Sequence, residues 1–86
     1  AEPELLERIF AAARHVEGVM DVHRVIADYV GPQVRADLHV DVDGEISFLV
    51  AHQISNAVRD AVEALDDVDL AFVHLEPVQL HAYEQS

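Results

Sequence analysis

The 86-residue chain has no cysteine, no lysine and no tryptophan, and only three glycines and three prolines. Without cysteine there can be no disulfide, no thiolate zinc site and no cysteine nucleophile. Three glycines, none in a phosphate-cradling series, argue against nucleotide binding. With no lysine, five arginines face seventeen acids, for a net charge of −12. Nucleic acid is therefore excluded as a partner, because phosphate binding needs a cationic face, and an anionic membrane surface would repel the chain. No apolar run approaches the ~18 residues of a membrane span. The start, Ala1-Glu2-Pro3-Glu4, is acidic where a signal peptide needs a basic stretch. It begins on Ala rather than Met, which fits a fragment of something larger.

What is present is a folded composition, with 51% apolar residues. One small domain is expected, and it buries only about 60–65% of its unfolded surface. Domains of this size gain stability from a disulfide, a metal or a partner subunit, and the first is already excluded. Cations suit the charge. Six histidines stand among the carboxylates, and imidazole and carboxylate are the metal-ligand types left without thiolate.

Apolar spacing predicts a helix over Pro3 to Val16, with Leu5, Ile9, Ala12, Ala13 and Val16 as its stripe. Pro3 is tolerated in a first turn, Glu2, Glu4 and Glu7 suit the helix dipole, and Gly18 is expected to be a left-handed cap. Val22 to Val30 and Val34 to Val42 read as an antiparallel hairpin about Gly31-Pro32. In the second strand Val34, Ala36, Leu38, Val40 and Val42 alternate with Arg35, Asp37, His39 and Asp41, one face core and the other charged. Ser47 is the expected N-cap of a helix reaching about Leu65, with Val50, Ile54, Ala57, Val58, Ala61 and Leu65 inward. Val68 to Glu76 reads as a third strand, stopped by Pro77. Residues 79–86 form a polar tail. The order helix, strand, strand, helix, strand closes most simply as an α+β sandwich of ferredoxin-like type, with two helices on one face of a three-stranded sheet. The other sheet face is left for water, ligand or a second subunit.

His74 and Glu76 are two apart on the third strand and share a face, so both can reach one cation. A solvated polar face has the same pattern. His39 lies on the polar face of the second strand, on the same side of the sheet as His74; whether they meet depends on strand order. Strict alternation sets His23 with the inward Val25 and Ala27, unless a bulge intervenes. His52 begins the second helix without a local partner. His15 is better explained by a helix C-terminus, and neither it nor His81 in the tail is expected as a primary ligand. No nucleophile elbow, oxyanion loop or dedicated general base supports an enzyme.

Taken in order, Gly18-Val19 before Val22-His23, the Gly31-Pro32 turn, Ala36-Asp37-Leu38-His39-Val40, Ala51-His52-Gln53-Ile54 and Val73-His74-Leu75-Glu76-Pro77 have a familiar arrangement. The run from Val19 to Pro77 resembles the cytoplasmic C-terminal domain of cation diffusion facilitator transporters, which carry divalent metals across membranes. The resemblance implies a metallochaperone-like αββαβ domain over residues 1–78, a V-shaped homodimer, and metal near the dimer interface. It implies His23, His39, His52, His74 and Glu76 as ligands, Glu76 standing where zinc-transporting relatives usually have Asp. The chain also resembles the iron-handling magnetosome branch, which implies Asp37 with His52 and His74. The implied function is a metal-sensing, dimerising regulatory domain on the cytoplasmic side of a membrane, attached to a transmembrane transport domain. Zn²⁺ is the first cation expected, with Fe²⁺ or Mn²⁺ as alternatives. The rival readings are a free-standing metal buffer or chaperone, and a ferredoxin-like interaction module whose histidines bind nothing.

Overall fold

A computed structural model describes residues 2–79. Within them the chain runs α1 (Pro3–Arg14), β1 (Asp21–Val30), β2 (Gln33–Asp43), α2 (Phe48–Glu63) and β3 (Leu70–Val78). The sheet order is β1-β2-β3. β1 and β2 pair antiparallel, β2 and β3 parallel. A parallel neighbour needs a long crossover, which α2 supplies. The result is the expected α+β sandwich, with α1 against β1 and α2 against β3. The tail residues 80–86, including His81, lie outside the described residues.

Two short connections hold the hairpin and the crossover. Val30 opposes Gln33 across Gly31-Pro32, and Gly31 has φ +61°. A two-residue hairpin needs a positive φ at its first position, which glycine adopts without strain. After α2, Asp69 clamps the start of β2 in both directions: Val34 N–H donates to its Oδ2 at 2.7 Å, and its own N–H donates to Val34 O at 3.0 Å. Glu63, the last residue of α2, accepts from Ala71 N–H at 2.9 Å. Together they set where β3 enters beside β2.

The core is aliphatic. Ile9, Leu38, Val40, Val58 and Val62 are fully buried, together with Ala13 and Ala36. Burying each Val, Leu or Ile is worth about 1.5–3 kcal/mol, enough in sum to hold one sheet against two helices. β2, the central strand, alternates strictly between buried residues and exposed or part-exposed ones from Val34 to Val42.

Several boundaries differ from the sequence reading. α1 ends at Arg14 with His15 as C-cap, two residues short of Val16. Gly18 is left-handed at φ +95°, but in the turn beyond the helix, where a Cβ would come within 2.6 Å of Ile54. The inward stripe of α2 is Ile54, Val58 and Val62; Val50 is exposed. Ser47 caps as expected, accepting from Val50 N–H at 3.1 Å. Pro77 does not stop β3, which continues to Val78 opposite Asp43. β3 is an edge strand, and proline is tolerated where its missing N–H would have faced outward.

Candidate metal centre

The face of the sheet away from the helices carries the polar residues of β2 and β3. The parallel register sets His39 opposite His74, Asp37 opposite Phe72 and Asp41 opposite Glu76. His39 and His74 therefore meet: their rings stack at 4.9 Å with an interplanar angle of 18°. This is the contact that spacing alone left open.

His23 joins them through a fault in the ladder. Val22 pairs with Val40, and Arg24 with His39, leaving His23 as the extra residue of a β-bulge. Val22 is buried under the helices and Val25 packs against the same core, three residues on rather than two. The extra residue turns His23 to the polar face, which strict alternation would have denied it. Its ring lies 5.7 Å from that of His39.

His23, His39 and Glu76 each offer a ligand atom, and these atoms lie within 4.8 Å of one another; no other group of three or more potential ligands forms among the described residues. Glu76 Oε2 is 2.7 Å from His23 Nε2 and 3.3 Å from His39 Nδ1. The same oxygen is shut off from solvent and has no hydrogen-bond partner, although the Glu76 side chain as a whole is 46% exposed. A shielded carboxylate oxygen without a donor is costly, and a cation would satisfy it. The donor set, two imidazoles and one carboxylate, is of the type that binds zinc and similar borderline divalent ions.

The other expected ligands stand apart from this trio. Asp37 and His74 approach each other, with His74 Nε2 3.9 Å from Asp37 Oδ1. Asp37 also lies 3.4 Å from Arg35 Nε, and the Arg35 guanidinium sits 4.6 Å over the Phe72 ring. His52 is exposed on α2, its ring stacked 6.4 Å from the exposed Phe48, and no cluster among the described residues includes it. His15 Nδ1 is 2.8 Å from Ala11 O, so its role is at the end of α1. One residue escaped the sequence reading: Asp41, whose Oδ1 accepts from His23 Nδ1 at 2.9 Å. Its only signal was its position two residues beyond His39 on the polar face. Among the described residues no helix is long and apolar enough to cross a membrane.

A two-layer αββαβ domain with imidazoles and carboxylates gathered on its open sheet face is the architecture of a small metal-handling module. Residues 1–78 match the family described as "Cation efflux protein, cytoplasmic domain", and the chain belongs to it. It is 40% identical over 75 residues to an uncharacterized transporter, MJ0449, of Methanocaldococcus jannaschii, covering 87% of this chain and 25% of that protein. It is 44% identical over 55 residues to the magnetosome protein MamM of Magnetospirillum gryphiswaldense, covering 64% of this chain and 17% of MamM. The chain thus spans a quarter or less of these relatives' length. Among solved structures, a cadmium form of a MamM C-terminal domain variant superposes with TM-score 0.83 at 32% identity, over 90% of this chain and 98% of that one. The family resemblance and the ferredoxin-like fold read from the sequence both hold.

Proposed function

We propose that residues 1–78 form a single regulatory domain that senses divalent metal for a membrane efflux transporter and does not itself catalyse a reaction. Glu76 Oε2 carries this reading: shielded, without a hydrogen-bond donor, and flanked by two imidazole nitrogens at 2.7 and 3.3 Å. His23, His39 and Glu76 are the primary ligands. Asp37 and His74 form a second, weaker cation position beside them. Zn²⁺ is the first cation in this reading, with Fe²⁺ and Mn²⁺ as the alternatives.

The domain works as a homodimer. His52 belongs to no ligand cluster among the described residues, yet it stands beside Phe48 and Leu49, which are 88% and 65% exposed at the start of α2. In our reading a second copy covers this patch and receives His52 as a further ligand. Two copies carry −12 each and repel. A bound cation lowers that repulsion, so the loaded state is a closed, stiffer dimer, favoured in proportion to its higher affinity for the ion. In the full transporter that closure would couple transport to cytosolic metal.

The test is a calorimetric titration of Zn²⁺ into the metal-free chain and its Glu76→Gln variant, with small-angle scattering before and after loading. Saturable binding that Glu76→Gln weakens, with a smaller radius of gyration for the loaded dimer, supports the reading. Absence of binding, or binding indifferent to Glu76, overturns the site. Binding without dimer closure overturns the regulatory mechanism.

A further inference from the structure

We propose that Asp41 is the positioning residue of this centre: it holds the proton of His23 on Nδ1 and so leaves the lone pair of Nε2, on the Glu76 side of the ring, free for a cation. The proposal builds on the metal-binding reading above and adds a residue that touches no ion.

Asp41 Oδ1 lies 2.9 Å from His23 Nδ1 with hydrogen-bond geometry. An ionised carboxylate can only accept, so the ring must donate from Nδ1. A neutral imidazole has one N–H, which leaves Nε2 as the atom with a free lone pair. Nε2 is the ring nitrogen on the Glu76 side, 2.7 Å from Oε2. Tautomer and ring orientation are thus set by one contact, from the side of the ring away from the ligand position.

The two strands make the contact possible together. His23 is the bulged residue of β1, with no ladder partner to fix its direction. Asp41 is rooted on the central strand, between Val40, which is fully buried, and Val42, which is nearly so. It opposes Glu76 in the β2–β3 register and Asp21 in the β1–β2 register. A side chain loosened by a bulge is therefore tethered to the most constrained strand of the sheet. Carboxylates in this relation to a metal-binding histidine also raise its basicity, and losing one typically costs ~10–100-fold in metal affinity.

Long-range ¹⁵N NMR of the imidazoles reads the proton position directly in the metal-free chain, at a pH where the rings are neutral. The expected result is a wild-type His23 protonated on Nδ1, and a His23 in Asp41→Ala that moves its proton to Nε2. Zn²⁺ affinity in Asp41→Ala should fall by ~10–100-fold. Asp21→Ala, which removes the same charge from the neighbouring strand, should leave the tautomer unchanged and weaken binding far less. A wild-type His23 protonated on Nε2, a tautomer indifferent to Asp41→Ala, or equal losses in the two variants would each overturn the proposal. If the wild type bound no Zn²⁺, the metal-sensing reading would fail, while the tautomer would still decide what Asp41 does to His23.

Discussion

Two neighbouring regions of one sheet face contain the same chemical groups and treat them differently. At the bulged corner His23, His39 and Glu76 converge on one oxygen, and Asp41 braces His23 from behind. Further along the strands, Asp37 and His74 are 3.9 Å apart, and Asp37 shares its carboxylate with Arg35. The corner has a shielded oxygen without a hydrogen-bond partner; the second region has a cation of its own, in the guanidinium held over Phe72. Composition does not separate the two, since each has histidine and carboxylate. Backbone irregularity does: one extra residue in β1 brings a third ligand to the corner, and the regular ladder provides none to the other.

The broadest way to break the comparison is to remove what both regions stand on. Leu38 is fully buried on β2, between Val25 and Val73 in the ladder. Leu38→Ala should cost ~2–5 kcal/mol of stability, measured by denaturant unfolding. Both regions should then lose cation binding together, in parallel with unfolding rather than through their own chemistry.

The corner alone is addressed by His39→Ala. His39 offers one of the three candidate ligand atoms, so its loss should weaken Zn²⁺ binding by at least the ~10–100-fold typical of an outer-shell change. Its side chain is 32% exposed and its ring stacks on His74, so unfolding free energy should fall by only about 0.5–1.5 kcal/mol. A large loss of affinity on an unchanged fold separates ligation from structure. A fall in stability as large as that of Leu38→Ala would instead mark His39 as a packing residue.

Much of this geometry was legible beforehand, and the misses have physical causes. Alternation along β2 placed Asp37 and His39 on the polar face because a central strand, packed on one side, admits no other reading. The meeting of His39 with His74 was not legible, since it needs β3 to enter beside β2, in a register pinned by Glu63 and Asp69 far from either ring. Periodicity pointed His23 inward. A bulge breaks periodicity without leaving a compositional mark, and it was the family resemblance rather than spacing that included His23. Asp41 was invisible for the same reason, because its partner exists only once the bulge has turned His23 outward. The two extra residues given to α1 and the early stop given to β3 at Pro77 came from local signals, which packing and an edge position overrode.

His74→Ala sharpens the difference between the two regions. His74 touches the corner only by stacking on His39, and belongs to the second region through Asp37. The variant should weaken the first Zn²⁺ by no more than about 2–13-fold, the range an aromatic contact of about 0.5–1.5 kcal/mol converts to, and should abolish any second, weaker binding event in the calorimetric titration. Loss of the first event instead would mean that the two regions are one site.

The smallest expected effect has the opposite sign. Arg35 Nε stands 3.4 Å from Asp37, and both side chains are partly exposed, 47% and 26%. Pairs of this kind contribute ~0.2–1 kcal/mol, so the guanidinium competes only modestly with an incoming ion. Arg35→Gln removes that competitor and makes the face more negative, while leaving Asp37 and His74 in place. Binding at the second region should tighten by about 1.5–5-fold, the range those energies convert to, with the corner unchanged. The measurement is the shift of the His74 ring resonances as Zn²⁺ is added beyond saturation of the corner. Weaker second-site binding in Arg35→Gln would show that Arg35, resting on Phe72, orients the Asp37 carboxylate for the ion instead of occupying it.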